Sequence, residues 1–211
     1  MKKTVLAILL LVMAKVAFGQ YDPKALAILD AMSKKYKAIP GFEANINQTM
    51  TNEAEKVKEE FKGKITVKGE KYRLVLPEQE VVNNGSTIWT YVPDANEVTV
   101  ESYEASSEDI NPSKIYEVYK KGYRYAYIGE KTEGGVLCDE IDLSPEKKEA
   151  QYTRIKMFIS KKDKSIQSFI MFDKSGSQFK VILTKFTVNP NIPDSFFTFD
   201  VKKHPGVDVI E

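Results

Sequence analysis

Bond-cleaving chemistry through a nucleophile needs a base within reach, and this sequence offers little of that vocabulary. Its only histidine, His204, sits in "KKHPG", seven residues from the C-terminus, and reads as a solvated tail residue. Its only cysteine, Cys138, falls in the strand-like stretch Val136 to Leu143, where a small buried side chain is the expected reading; a lone cysteine also excludes an internal disulfide. One His and one Cys do not make a zinc set, and "SSEDINPS" and "TEGG" lack the ligand spacing of a calcium loop. "GEKTEGG" has glycines but no helix pattern after them, which weakens a phosphate loop. Any two acids can meet in space as a glycosidase pair, yet no pair stands out. The reading is therefore a non-enzyme with no cofactor and no metal. The rival from another class is an envelope hydrolase with two carboxylates facing into a cleft.

What the chain has in quantity is 11 Phe, 11 Tyr and a single Trp, Trp89, most of them in strand-like runs. Ahead of these comes a leader. Lys2 and Lys3 precede an apolar run from Val5 to Ala14, and Ala17-Phe18-Gly19 supplies small residues for a signal peptidase. The run is far short of the roughly 20 residues that span hydrocarbon. Residues 1–19 are thus expected to be a cleaved signal peptide, leaving Gln20 first in one domain, 20–211. Cleavage removes Lys2, Lys3 and Lys15 and no acid, so 31 basic against 30 acidic residues becomes 28 against 30. A near-neutral chain with interspersed charge argues against nucleic acid as a partner.

The elements follow from periodicity. "DPKALAILDAMSKKY" has Asp22 as N-cap, Pro23 in first position, and Ala25, Leu26, Leu29 and Met32 or Ala31 on one face, which predicts an amphipathic helix. From Phe42 the period is two: Phe42, Ala44 and Ile46 alternate with polar residues, as do Phe61, Gly63, Ile65 and Val67, and then Tyr72, Leu74 and Leu76. Asn84-Gly85 predicts a type I′ hairpin turn. Asn111-Pro112 opens a short inserted helix that Gly122 stops, and strands resume with turn signals at Gly134-Gly135, Lys162-Asp163 and Ser175-Gly176. Together these predict an α+β fold dominated by one antiparallel sheet. Two helices cannot cover all of it, so the sheet is expected to be a closed barrel or an open one with an apolar concave side.

"NNGSTIWTYVPDANEVTV", residues 83–100, resembles the signature of LolA-type lipoprotein carriers. "GFEANINQT" and "EFKGKITVK" resemble that family's first two strands, and "IPDSFFTFDVKKHPGVDVIE" its ending. The resemblance runs from Leu26 to Ile210. It implies an open half-barrel of about ten to eleven antiparallel strands, with an N-terminal helix and a short inserted helix as a lid over an apolar cavity. It also implies a periplasmic monomer that shelters the acyl chains of lipoproteins. Its expected partners are an inner-membrane ABC transporter, which supplies the energy, and an outer-membrane receptor. A lipid or glycolipid binder of the same fold is the alternative. Candidate cavity residues are Tyr72, Leu74, Leu76, Trp89, Tyr91, Ile155, Met157 and Ile159; candidate lid residues are Leu26, Leu29, Met32, Ile115 and Tyr119. The family often has Arg-Pro after the "VK" of the second strand, the arginine being associated with holding the lid. Here Gly69-Glu70 follows Val67-Lys68, leaving Lys68, Lys71 and Arg73 as substitute cations.

Overall fold

The computed structural model describes residues 21–104, 110–189 and 191–211. The expected leader, Gln20 and residues 105–109 of the acidic loop lie outside them. The helix forms as α1 (Pro23–Lys37). Asp22 caps it, its carboxylate accepting from the N–H groups of Lys24 (2.8 Å) and Ala25, with Pro23 in the first turn.

Six strands come next: β1 (Phe42–Asn52), β2 (Val57–Lys68), β3 (Lys71–Val75), β4 (Glu80–Asn83), β5 (Thr87–Val92) and β6 (Glu97–Ser102). The inserted helix, Pro112–Lys120, is of 3-10 type and capped by Asn111. After it come β7 (Tyr123–Glu133), β8 (Val136–Pro145), β9 (Tyr152–Ser160), β10 (Ile166–Asp173) and β11 (Gln178–Val188), and lastly β12 (Asp208–Ile210).

The strands make one sheet in the order β12-β6-β5-β4-β3-β2-β1-β11-β10-β9-β8-β7. Two meanders are joined where β1 pairs with β11, and β7 and β12 stand at opposite ends, so the sheet is an open half-barrel. Twelve described strands replace the expected ten or eleven. The additions are β4 and β12. The latter is three residues pairing in parallel with β6, too short for alternation to register.

Turn chemistry differs between the β4–β5 and β7–β8 hairpins. Gly134 and Gly135, at φ +56° and +82°, form a two-residue loop between β7 and β8, as a type I′ turn requires. The loop between β4 and β5 is longer, running over Asn84, Gly85 and Ser86, and only Gly85 has positive φ. Asn84 instead builds the turn with its side chain, whose oxygen accepts from the N–H groups of Ser86 (2.9 Å) and Thr87 (2.8 Å).

The two faces of the sheet are covered differently. On the inner face, Ala25, Leu29 and Met32 of α1 join Ile141, Leu143, Ile155 and Met157 in one buried cluster. On the outer face the C-terminal segment lies across β2 to β5. There the Arg73 guanidinium stands 5.0 Å above the Phe196 ring, and Asp194 pairs with Lys68 (2.8 Å) and Lys71 (2.9 Å). Hydrogen bonds from these two lysines lower the Asp194 carboxyl to about 2. His204 is not a free tail residue: its ring stacks on Phe199 at 4.5 Å and lies 4.4 Å from Tyr91.

Inside β2, Gly63 allows the close approach of the β3 end. A Cβ there would run into the Val75 carbonyl oxygen and sit 2.6 Å from Leu76 Cδ2. Gly63→Val is therefore expected to cost about 1–3 kcal/mol by overpacking, measured as a lower midpoint in urea. An unchanged midpoint would show that the β2–β3 pair yields freely.

Candidate functional site

Between the inner face and the inserted helix lies a cavity of about 380 Å³. Strand alternation builds its floor: Phe42, Ile46 and Gln48 of β1, Ile65 of β2 and Leu74 of β3 point into it, with Phe169 and Met171 of β10 and Val181 and Leu183 of β11. Tyr36 of α1 closes one end. Ile110, Pro112, Ile115 and Tyr116 form the roof, and Gln151 and Tyr152 stand at the rim. None of these described lining residues is charged. A register shift at the end of β11, with Lys185 at φ +49°, re-aims Phe186 onto the Phe42 ring at 4.8 Å, extending the aromatic closure.

The candidate residues do not all fall in one place. Leu74 and Ile115 line the cavity, while Tyr72 lines a neighbouring pocket of about 290 Å³ that shares Ile110 and Pro112 with it. Leu76 lies past the end of β3, over Gly63. Ile155, Met157 and Ile159 share the inner face but are 0% exposed, sealed in the cluster that holds α1. Trp89 and Tyr91 belong to the opposite face: Leu74 pairs with Val81 and Val81 with Thr90, so Thr90 takes the cavity side and its two neighbours turn toward the C-terminal segment. Of the lid candidates on α1, Leu29 and Met32 are 0% exposed and Leu26 faces outward at 36%. The sequence reading did not assign the β10 and β11 residues or Tyr36 to the cavity, although their alternation was visible.

α1 is fastened at both ends. The Asp22 N–H donates to the Tyr125 carbonyl (3.1 Å) and its carboxylate accepts from the Tyr127 N–H (3.0 Å), tying the helix start to β7. Near its other end Lys35 pairs with Asp163 at 2.6 Å, and the Tyr36 hydroxyl accepts from the Ile166 N–H at 3.0 Å. Burial pushes the Asp163 carboxyl up, but hydrogen bonds from Lys35, Ser165 and Ser160 outweigh it and hold the group far below the usual range.

The inserted helix bridges two supports. On the α1 side, the Tyr119 hydroxyl donates to Asp30 (2.5 Å), Tyr116 stacks on Tyr36 (5.4 Å, 10°) and Lys37 pairs with Glu117 (2.6 Å). On the sheet side, the Ser113 hydroxyl donates to the Glu70 carbonyl (3.2 Å) and Lys114 pairs with the Glu70 carboxylate (2.6 Å). The expected substitute cations do not take part: Lys68 and Lys71 hold Asp194, and Arg73 pairs with Glu80 and Phe196, all on the outer face. Parity explains the correction for Lys71 and Arg73, since side chains flanking Tyr72 on β3 must point away from the cavity.

Residues 37–200 match the family described as "Outer membrane lipoprotein carrier protein LolA". An outer-membrane lipoprotein carrier protein of Hahella chejuensis is 28% identical over 189 residues, covering 86% of this chain and 87% of its own. One from Pseudomonas paraeruginosa is 29% identical over 143 residues, which is 64% of this chain, and the chain spans 62% of that relative's length. Among solved structures, an uncharacterized conserved protein of Thermus thermophilus has a TM-score of 0.59 at 13% identity, over 89% of this chain and 98% of its own; the two share a fold.

Proposed function

The chain belongs to the LolA family of outer membrane lipoprotein carrier proteins, and we propose that it shelters the acyl chains of lipoproteins in the cavity under the inserted helix and carries them across the periplasm from inner to outer membrane. The observation that carries this reading is a mostly apolar cavity with no charged side chain among its described lining residues, built on strands and roofed by a segment held at its ends by polar contacts. Exposing one chain of about 16 carbons to water costs on the order of 12 kcal/mol at roughly 0.8 kcal/mol per methylene. A concave apolar face offsets much of that, and a cavity of about 380 Å³, near the small end of ligand sites, leaves room to release the cargo again. Binding and release are then motions without bond chemistry. An inner-membrane ABC transporter loads the carrier and an outer-membrane receptor unloads it.

The moving part in this reading is the inserted helix, which is shorter than α1 and whose Glu70–Lys114 pair is partly exposed, whereas α1 seals Ala25, Leu29 and Met32 completely in the core. Native mass spectrometry of the protein drawn from its own periplasm tests the function. A lipoprotein with an intact acylated N-terminus is the expected occupant; free lipid alone would favour a lipid binder, and an empty protein that takes up no lipopeptide would refute the carrier.

The Glu70–Lys114 pair is the sheet-side latch. Exposed ion pairs are worth about 0.2–1 kcal/mol, so Glu70→Lys or Lys114→Glu alone should speed entry of an apolar fluorophore about two- to fivefold in stopped-flow measurements. The double reversal should return the wild-type rate; single and double variants that behave alike would remove the latch.

A further inference from the structure

Gln48 is out of character with its surroundings. The inner row of β1 reads Phe42, Ala44, Ile46, Gln48, Met50, and the cross-strand neighbours of Gln48 are Phe61 and Val181. Half-buried Gln48 lines the cavity, as does the exposed Gln151 at the rim, and neither side chain hydrogen-bonds to another described residue. Neither amide is sealed from water in the empty cavity, but a chain that covers one without offering an acceptor leaves it unpaired. The partner's chemistry is narrowed by what the lining omits. With no cation among the described lining residues, a carboxylate drawn inside would be desolvated without a counter-charge. A neutral carbonyl has no such penalty and accepts the one bond an amide N–H has to give.

We propose that Gln48 and Gln151 read the ester carbonyls of the diacylglyceryl-cysteine anchor, so that the cavity selects ester-linked acyl chains over free fatty acids. This rests on the carrier reading, with the acyl chains lying deeper, toward Phe42 and Tyr36, and the glyceryl esters at the rim.

The test is competitive displacement of an apolar fluorophore from the exported protein by three probes of equal chain length: a diester diacylglyceryl-cysteine peptide, its diether analogue without carbonyls, and palmitate. The diester is expected to bind about five- to tenfold tighter than the diether, the worth of one neutral hydrogen bond, and palmitate weakest. In Gln48→Met with Gln151→Met, which keeps volume, the ester advantage should vanish, diester and diether binding equally tightly. Equal binding of diester and diether by the wild type, or a preference for palmitate, overturns the inference and leaves the carrier reading standing. Failure of every probe to bind would overturn both. Because the wild-type ratio decides on its own, the test survives a variant that fails to fold.

Discussion

Met157→Glu is expected to leave no folded protein to assay, whereas Leu74→Glu is expected to leave a folded protein that no longer holds an acyl chain. Both residues alternate inward on the same sheet, and the difference lies in what stands above them. Met157 is 0% exposed, between Ile141 and Phe169 in register and in one cluster with α1. A carboxylate there has neither water nor a cation, and the several kcal/mol of desolvation consume most of a typical stability of about 5–15 kcal/mol. Leu74 is only half-buried and borders the cavity. A carboxylate introduced at this position reaches solvent when the cavity is empty, so the fold persists, but an entering chain must dehydrate it, weakening retention on the order of a hundredfold. Circular dichroism with thermal melting separates the first outcome from the second, and lipopeptide retention reads the rest. A folded Leu74→Glu protein that still retains lipopeptide would move the binding site elsewhere.

The same pair shows where sequence stops being informative. Alternation groups Leu74 with Tyr72 and Met157 with Ile155 and Ile159, because a period of two follows from backbone geometry alone. Whether an inward residue is sealed or open depends on where α1 lies across the sheet, a tertiary fact with no local signal. Trp89 shows a second limit: the hairpin in which it sits was legible, but each face of β5 carries large side chains, and only its register with β4 decides that Thr90 takes the cavity side. The latch shows a third. Glu70 and Lys114 are 44 residues apart, and nothing in either local sequence announces that the β2–β3 turn meets the inserted helix. The helix cap at Asp22 and the Gly134-Gly135 turn, by contrast, rest on interactions within a few residues, and the sequence sufficed for both.

Tyr36→Ala is expected to cost about 3–5 kcal/mol, the range of a large aromatic deleted from a core, and Tyr36→Phe about 1–3 kcal/mol, the penalty for orphaning the buried Ile166 N–H. The ring is 5% exposed and touches three partners: Tyr116 of the inserted helix by stacking, and Phe42 and Phe186 edge-on at 6.2 and 5.9 Å. Through them one side chain joins α1, the sheet and the roof. Burial pushes its hydroxyl up to about 12 from an ordinary 10.0. A raised folded pKa means that this contribution is whole below pH 10 and is lost as pH rises toward 12, so Tyr36→Phe should lack that part of the alkaline decline. The two variants also separate stability from gating. Phenylalanine keeps the stack on Tyr116 and should bind lipopeptide as the wild type does, only in a less stable protein. Alanine removes the stack, enlarges the closed end of the cavity and leaves the roof held on its α1 side only by Tyr119–Asp30 and Lys37–Glu117, so fluorophore exchange should quicken beyond what the latch reversal achieves. Equal exchange rates in the two variants would show that the ring contributes to the core and leaves the roof alone.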